Sequence, residues 1–177
     1  MKFTISREKL VVLISKVQSV VPSKAVVPIL SNILLEAKDD TITLFATDLT
    51  VSVKVSVDVN ITEEGAITLP AKRFFQLVRE LTSPEITLET TEAGIARITA
   101  GSSHFRLHGM DKEEYPAFPS DDDGKSFIIS GANIKDMLMR TAFAAAKDDT
   151  RQVLNGVFME IRGNQMVLVG TDGKRLA

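Results

Sequence analysis

Residues 3–5 read as a short strand, and Leu10, Leu13, Ile14 and Val17 then recur at helical spacing behind Ser6, a fitting N-cap, until Pro22 stops the helix. Strand-like runs follow at 33–37, 41–46 and 51–57. In the last of these, Val51, Val53, Val55 and Val57 alternate with Ser52, Lys54 and Ser56, the pattern of a sheet wetted on one face. The order then restarts with a strand at 67–69, a helix over 71–81 carrying Phe74, Leu77, Val78 and Leu81 on one stripe, and strands near 86–90, 95–100 and 105–109. FTISREKLVVLI from Phe3 and ITLPAKRFFQLV from Ile67 align without a gap, 64 positions apart. Residues 1–110 are therefore expected to form one α+β domain made of a β-α-β-β-β unit used twice.

Residues 111–125 (DKEEYPAFPSDDDGK) break this pattern with prolines and an acidic run, the chemistry of a linker. Beyond them FIIS at 127–130 echoes FTIS at 3–6, and the offset of 124 holds ungapped to Ala177. Phe3, Ile5, Ser6, Leu30, Glu36, Leu44, Thr47 and Asp48 meet identical residues at Phe127, Ile129, Ser130, Leu154, Glu160, Leu168, Thr171 and Asp172. Residues 126–177 are thus expected to be the first half of a second domain, truncated, with a strand at 127–130, a helix over 132–147 and a strand over 166–171. Half a core should leave Met137, Leu138, Val157 and Met159 under-covered and the last strand with a free edge.

Composition narrows the class. The 177 residues are 44% hydrophobic and 25% charged, ordinary values for a globular chain. With no cysteine there are no disulfides, thiolate metal ligands or thiol nucleophiles, and the default location is the reducing cytoplasm. No apolar run approaches the ~20 residues of a membrane span, and MKFTISREK lacks the apolar region of an export signal, so no membrane partner is expected.

A net charge of −2 argues against bulk electrostatic attraction to nucleic acid until the charges are placed on elements. Each expected helix (7–20, 71–81 and 132–147) nets +2, so the three total +6 and the remainder −8. Lys72, Gln76 and Arg79 lie opposite Phe74 and Leu77 on the second helix, and Lys16 and Arg140 hold equivalent repeat positions. Lys and Arg are good helix formers, so solvated faces are the plain alternative to a binding surface. With no Trp and a single Tyr the chain lacks the aromatics that stack bases, so any nucleic-acid contact would be to phosphates, weak, salt-sensitive and without sequence preference.

Catalytic signals are absent. His104 and His108 fall ~13 Å apart on an extended strand, too far to share a metal ion. The tripeptide Gly124-Lys125-Ser126 lacks the earlier glycine of a phosphate loop, Pro119 standing there. Asp121 to Asp123 open like a calcium loop, but Ala132 holds the position that needs a bidentate Glu. Asp48 and Asp172, one on each repeat, read as turn residues rather than paired catalytic acids. No enzyme activity, cofactor or metal is expected.

MKFTI, VPILSNILLEA, LPAKRFFQLVREL, YPAFP, VLNG and the pair ATDL and TDGKRLA run in order along the whole chain. In these segments the sequence resembles the bacterial sliding clamps, the DNA polymerase III beta subunit family, with TDGKRLA and VLNG the most specific pieces. The resemblance implies a DNA-clamp fold of tandem domains, each built from two β-α-β-β-β units, with helices on one face and sheets on the other. It also implies a homodimeric ring of three-domain subunits around duplex DNA, retained by topology rather than affinity. Its partners would be the DNA polymerase III alpha subunit, the clamp loader and other proteins carrying a clamp-binding motif.

By position, the resemblance places a peptide pocket at Leu154, Thr171, Gly173, Lys174, Arg175 and Leu176, with Lys174 where relatives often have His. DNA-facing positions would be Lys16, Lys24, Lys72, Arg79, Arg140, Lys147, Arg151 and Gln152, and the ring contact Arg73, Leu77, Phe105 and Leu107. A plain strand-ending turn at TDG, ordinary core positions for Leu77, Phe105 and Leu107, and plain connecting loops at Lys24 and Arg151 are the structural alternatives. The rival functional reading is a peptide-binding adaptor on the same repeat that never closes a ring. This chain by itself, lacking a third domain, is expected to be mostly monomeric.

Overall fold

In the computed structural model, which describes residues 1–22, 24–91, 94–118 and 127–177, strand β1 (Lys2–Ser6) runs directly into helix α1 (Arg7–Gln18). Ser6 caps the helix, its side chain accepting from the Lys9 N–H at 3.3 Å, and Leu10, Leu13, Ile14 and Val17 form its buried stripe. Strands β2 (Asn32–Lys38), β3 (Thr41–Thr47) and β4 (Ser52–Asp58) follow. The second copy is β6 (Gly65–Pro70), α2 (Ala71–Glu80), β7 (Glu85–Thr90), β8 (Ile95–Ala100) and β9 (Ser103–His108). One strand lies outside the expected repeat, the four-residue β5 (Asn60–Glu63), too short to carry a period. Contacts divide the chain into two units, Met1–Ser120 and Asp121–Ala177.

The two copies in the first unit exchange their opening strands. One sheet runs β4-β3-β2-β6 and the other β5-β1-β7-β8-β9, so β1 pairs with the second copy and β6 with the first. Phe3 lies opposite Leu88 and Ile5 opposite Ile86, while Ile33 faces Leu69 and Leu35 faces Ile67. Helices α1 and α2 pack on each other, α1 also against β3 and β4 and α2 against β6. Phe3, Leu10, Ile14, Ile33, Leu35, Leu69, Phe74, Ile86 and Leu88 are consequently sealed in one core shared by both sheets. A single β-α-β-β-β copy has nothing to cover the other flank of its helix; the exchange makes each copy the cover of the other.

The expected linker begins inside this unit. Thr68, fully buried, accepts from the Asn32 amide (3.1 Å) and the Met110 N–H (3.0 Å) and donates to the Met110 carbonyl (2.8 Å), tying residue 110 to β6. Tyr115 is buried, its hydroxyl shared between the carbonyls of Asn32 (3.2 Å) and Phe45 (3.4 Å). Phe118 packs on Phe45 with centroids 5.4 Å apart, and Lys54 Nζ lies 5.4 Å from the Phe45 ring. Residues 115–118 therefore form a strap over the solvent side of β2, β3 and β4.

The second unit contains α3 (Gly131–Thr141), a 3-10 turn (Ala142–Ala144) and the hairpin β10 (Phe158–Arg162) and β11 (Gln165–Val169). Two expectations need correction. Residues 127–130 are not a strand: β1, their twin, pairs with β5 and β7, and among the described residues no strand stands in the equivalent place beside 127–130. The helix ends at Thr141 rather than 147. Gly170 presses against the Thr141 carbonyl where any side chain would collide, and the Ala146 N–H turns away to the Leu154 carbonyl at 2.8 Å. Lys147 is thus off the helix, and α3 nets +1 instead of +2. Leu138 and Met159 are exposed, and Met137 and Val157 half-buried.

Candidate functional site

The turn after β11 is built by its own side chains. Asp172 Oδ1 accepts from the backbone N–H groups of Lys174 and Arg175, both at 2.9 Å, and Oδ2 pairs with Arg175 Nε at 3.0 Å. Those backbone donors, with Arg175 adding its charge, hold the Asp172 carboxyl below the usual carboxylate range. The Thr171 hydroxyl donates to the Arg175 carbonyl (2.7 Å) and accepts from the Gly173 N–H (3.1 Å), with Gly173 in the left-handed region at φ 85°. Gly170 and Ala177 then exchange both backbone hydrogen bonds, at 2.9 and 3.0 Å, closing the hairpin base.

The same device stands in the first unit. Asp48 Oδ1 accepts from Thr50 (2.8 Å) and Val51 (2.7 Å), which lowers its pKa, and Thr47 Oγ1 donates to the Val51 carbonyl (3.1 Å) and accepts from Leu49 N–H (3.0 Å). Hydrogen bonding alone therefore does not distinguish a binding turn from a connecting one. Nor does apolar exposure by itself, since Leu49 and Val51 are exposed at the first turn too. In the second unit Leu176 is 76% exposed, Val153 86% and Phe143 61%, with the Arg175 guanidinium 5.9 Å from the Phe143 ring. Leu154 is half-buried and sends its carbonyl to Ala146.

Beside the turn, a groove of about 400 Å³ is lined by Ala145, Ala146, Lys147, Asp148, Asp149, Asp172, Lys174 and Arg175. Of the six expected peptide-site residues only Lys174 and Arg175 line it; Leu154, Thr171, Gly173 and Leu176 do not. Its three cations face three carboxylates, so it is polar rather than an apolar seat. Phe143, Asp149 and Asp172 shape this region without having been singled out for it. The Asp-x-Arg spacing of 149 and 151 was the available signal for Asp149, whereas nothing local marks Phe143.

The expected DNA-facing cations divide into two groups. Lys16, Lys24, Lys72 and Lys147 are exposed and make no ion pair among the described residues. Arg79 is paired loosely with Glu80 (3.4 Å), Arg140 with Asp136 (2.9 Å) and Arg151 with Asp149 (3.0 Å). Hydrogen bonds from the Arg151 side chain and N–H carry the Asp149 carboxyl down to about 2. Gln152 opens a 3-10 turn with its side chain in solvent.

Arg73 is exposed on α2, while Leu77 and Leu107 rest half-buried on the core. Phe105 is 38% exposed on β9, the outermost strand of its sheet, which leaves one side of that strand open. His104 and His108 share this strand, both exposed, with His104 Nδ1 3.2 Å from Thr99 Oγ1. Among the described residues no three His, Cys, Asp or Glu side chains gather as a metal site, and no helix is long and apolar enough to cross a membrane. Asp121 to Asp123 and Gly124 to Ser126 lie outside the described residues.

Solved bacterial sliding clamps share this fold. The DNA polymerase sliding clamp of Bacillus subtilis is similar with a TM-score of 0.94 at 29% identity, over 99% of this chain and 48% of its own. The DNA polymerase III subunit beta of Bartonella birtlesii, solved bound to griselimycin, has a TM-score of 0.92 at 36% identity, again over 99% and 48%. A beta sliding clamp of Chlamydia muridarum is 45% identical across all 177 residues, which match 48% of its length, and that of Chlamydia trachomatis is 45% identical over 42% of its length. The chain thus spans about half the length of the curated relatives it matches. Residues 1–119 match the N-terminal domain of the DNA polymerase III beta subunit and residues 128–177 its central domain, so the chain belongs to that family.

Proposed function

We propose that this chain supplies the first domain and the opening half of the central domain of a ring-shaped DNA sliding clamp, a non-enzymatic processivity factor of the cytoplasm that needs no cofactor. The observation that carries the reading is the likeness to a sliding clamp over 99% of the chain at a TM-score of 0.94. The exposed Lys16, Lys24, Lys72 and Lys147, which make no ion pair among the described residues, supply contacts to duplex phosphates, and the paired Arg79 and Arg140 add charge that can be redirected to phosphate. Open strand β9 with Phe105 and Leu107, together with Arg73 and Leu77 of α2, is one half of a head-to-tail contact between subunits of a homodimer.

The turn at Thr171, Gly173, Lys174 and Arg175, with Leu154 and Leu176, is one wall of a seat for short peptides ending in apolar residues. Exposed apolar side chains there would bury a partner's while Arg175 holds a carboxylate or carbonyl. Partners carrying such peptides include the polymerase alpha subunit and the clamp loader. Joined to the half that the relatives carry beyond this match, the protein is expected to stay on nicked circular duplex in high salt and to run off once the circle is linearised. Equal retention on linear and circular DNA would sink the ring reading.

A further inference from the structure

Arg151 and Gly173 come from loops expected to do different work, one facing DNA and one receiving peptide, yet the guanidinium lies on the side of Gly173 where a side chain would project. Arg151 Nη2 and Nη1 stand 3.4 and 3.5 Å from the point a Cβ on Gly173 would occupy. The guanidinium is held in place from behind: Nε and Nη2 donate to Asp149 Oδ1 and Oδ2, each at 3.0 Å, a bidentate fork. Asp149 is itself fixed. Its Oδ1 takes the Arg151 backbone N–H at 2.8 Å, its own N–H goes to Asn155 Oδ1 at 2.9 Å, and its carbonyl accepts the Asn155 amide at 3.0 Å.

The twin turn shows that this contact is more than a backbone requirement. Leu49, the counterpart of Gly173, sits at φ 74° in a turn with the same hydrogen bonds, so the left-handed conformation alone does not demand glycine there. The counterpart of Arg151 is Val27, which offers no such fork. A side chain longer than a methyl at position 173 would have to share the space that the guanidinium fills.

We propose that Arg151 is a positioning residue of the peptide seat: clamped by Asp149, its guanidinium backs Gly173 and fixes the turn that presents Thr171, Arg175 and Leu176. This rests on the reading that the turn receives peptides. Asp149 engages Nε and Nη2, so the Arg151 donors left for a phosphate, on Nη1 and the second Nη2 hydrogen, are those beside Gly173, and DNA contact there would compete with the brace.

The test compares Asp149→Asn and Arg151→Lys in the full chain by backbone NMR relaxation. Asn keeps the acceptor for the Arg151 N–H but loses the charged fork, and Lys keeps the charge but not the bidentate geometry. Both variants are expected to lower the order parameters of Gly173, Lys174 and Arg175 from the rigid range near ~0.85 towards ~0.6, while Leu49, Thr50 and Val51 in the twin turn stay unchanged. Both should also weaken a short apolar-ended peptide by about two- to five-fold.

Unchanged turn amides in Arg151→Lys overturn the proposal, whether or not Asp149→Asn perturbs its own loop. Failure of the parent chain to bind the peptide counts instead against the peptide reading, and the order parameters still decide whether Arg151 braces the turn.

Discussion

Removing the Tyr115 hydroxyl tests how the strap is held. Tyr115→Phe deletes one buried donor shared by two carbonyls at 3.2 and 3.4 Å while keeping the ring in place. A net hydrogen bond of this kind is worth about 1 kcal/mol, so the variant should unfold in urea with that loss at neutral pH. The phenol also reports through pH: burial pushes its pKa from 10.0 up to about 12, because the phenolate would be desolvated. A raised pKa means that the folded state holds the proton more tightly than the unfolded one. The contribution is therefore complete below pH 10 and is lost as pH climbs from about 10 to 12, at roughly 1.4 kcal/mol per unit and at most about 3 kcal/mol in total. Tyr115 is the chain's single tyrosine and there is no tryptophan, so phenolate absorbance and intrinsic fluorescence both follow the strap alone. Urea unfolding by circular dichroism across that pH range should show the parent chain losing its advantage of about 1 kcal/mol over Tyr115→Phe and then falling below the variant. A phenol that titrates in the folded chain at its ordinary value, or identical pH slopes for the two proteins, would refute the reasoning.

Duplex DNA of any sequence should bind this chain weakly and be released as salt rises, since the proposed contacts are a few scattered Lys and Arg on a chain of net charge −2; anisotropy titrations at several salt concentrations check this, and tight sequence-selective binding would count against it. Hydrogen exchange should be much faster over residues 127–177 than over 1–110, because the second unit offers a two-stranded sheet with Phe158, Met159, Ile161 and Val167 exposed, against two complete sheets in the first. Protection of the second segment that appears only at high concentration would mark pairing between chains through its free edge, and equal protection of both at every dilution would contradict the expectation.

Local chemistry made much of this legible. Ser6 before an apolar period, Pro22 after it, and the alternation from Val51 to Val57 each act over a few residues, so their outcome can be read from neighbours in the chain. The offset of 124 also carried real structural content, for the Thr47-Asp48 and Thr171-Asp172 turns share four side-chain hydrogen bonds position for position. The helix end at Thr141 was not legible, for the first helix was itself read to residue 20 and stops at Gln18, and the alanines after 141 favour continued helix with no proline to oppose them.

Partnership is where reading along the chain ran out. FTIS and ITLP look like the opening strands of their own units, yet β1 completes the sheet of the second copy and β6 that of the first. A strand's pattern says which of its faces is apolar; it says nothing about which edge it joins, because backbone donors and acceptors are the same for every sequence. The same holds for residues 127–130, which carry strand chemistry with no strand beside them among the described residues. Tyr115 and Phe118 sit among prolines and acids that read as linker, and only the ring of Phe45, which Phe118 packs against, turns them into a strap. Arg151 is the last case: its charge is plain in the sequence, but whether that charge faces phosphate or Asp149 and Gly173 depends on two loops meeting from 22 positions apart, and only the folded chain brings them together.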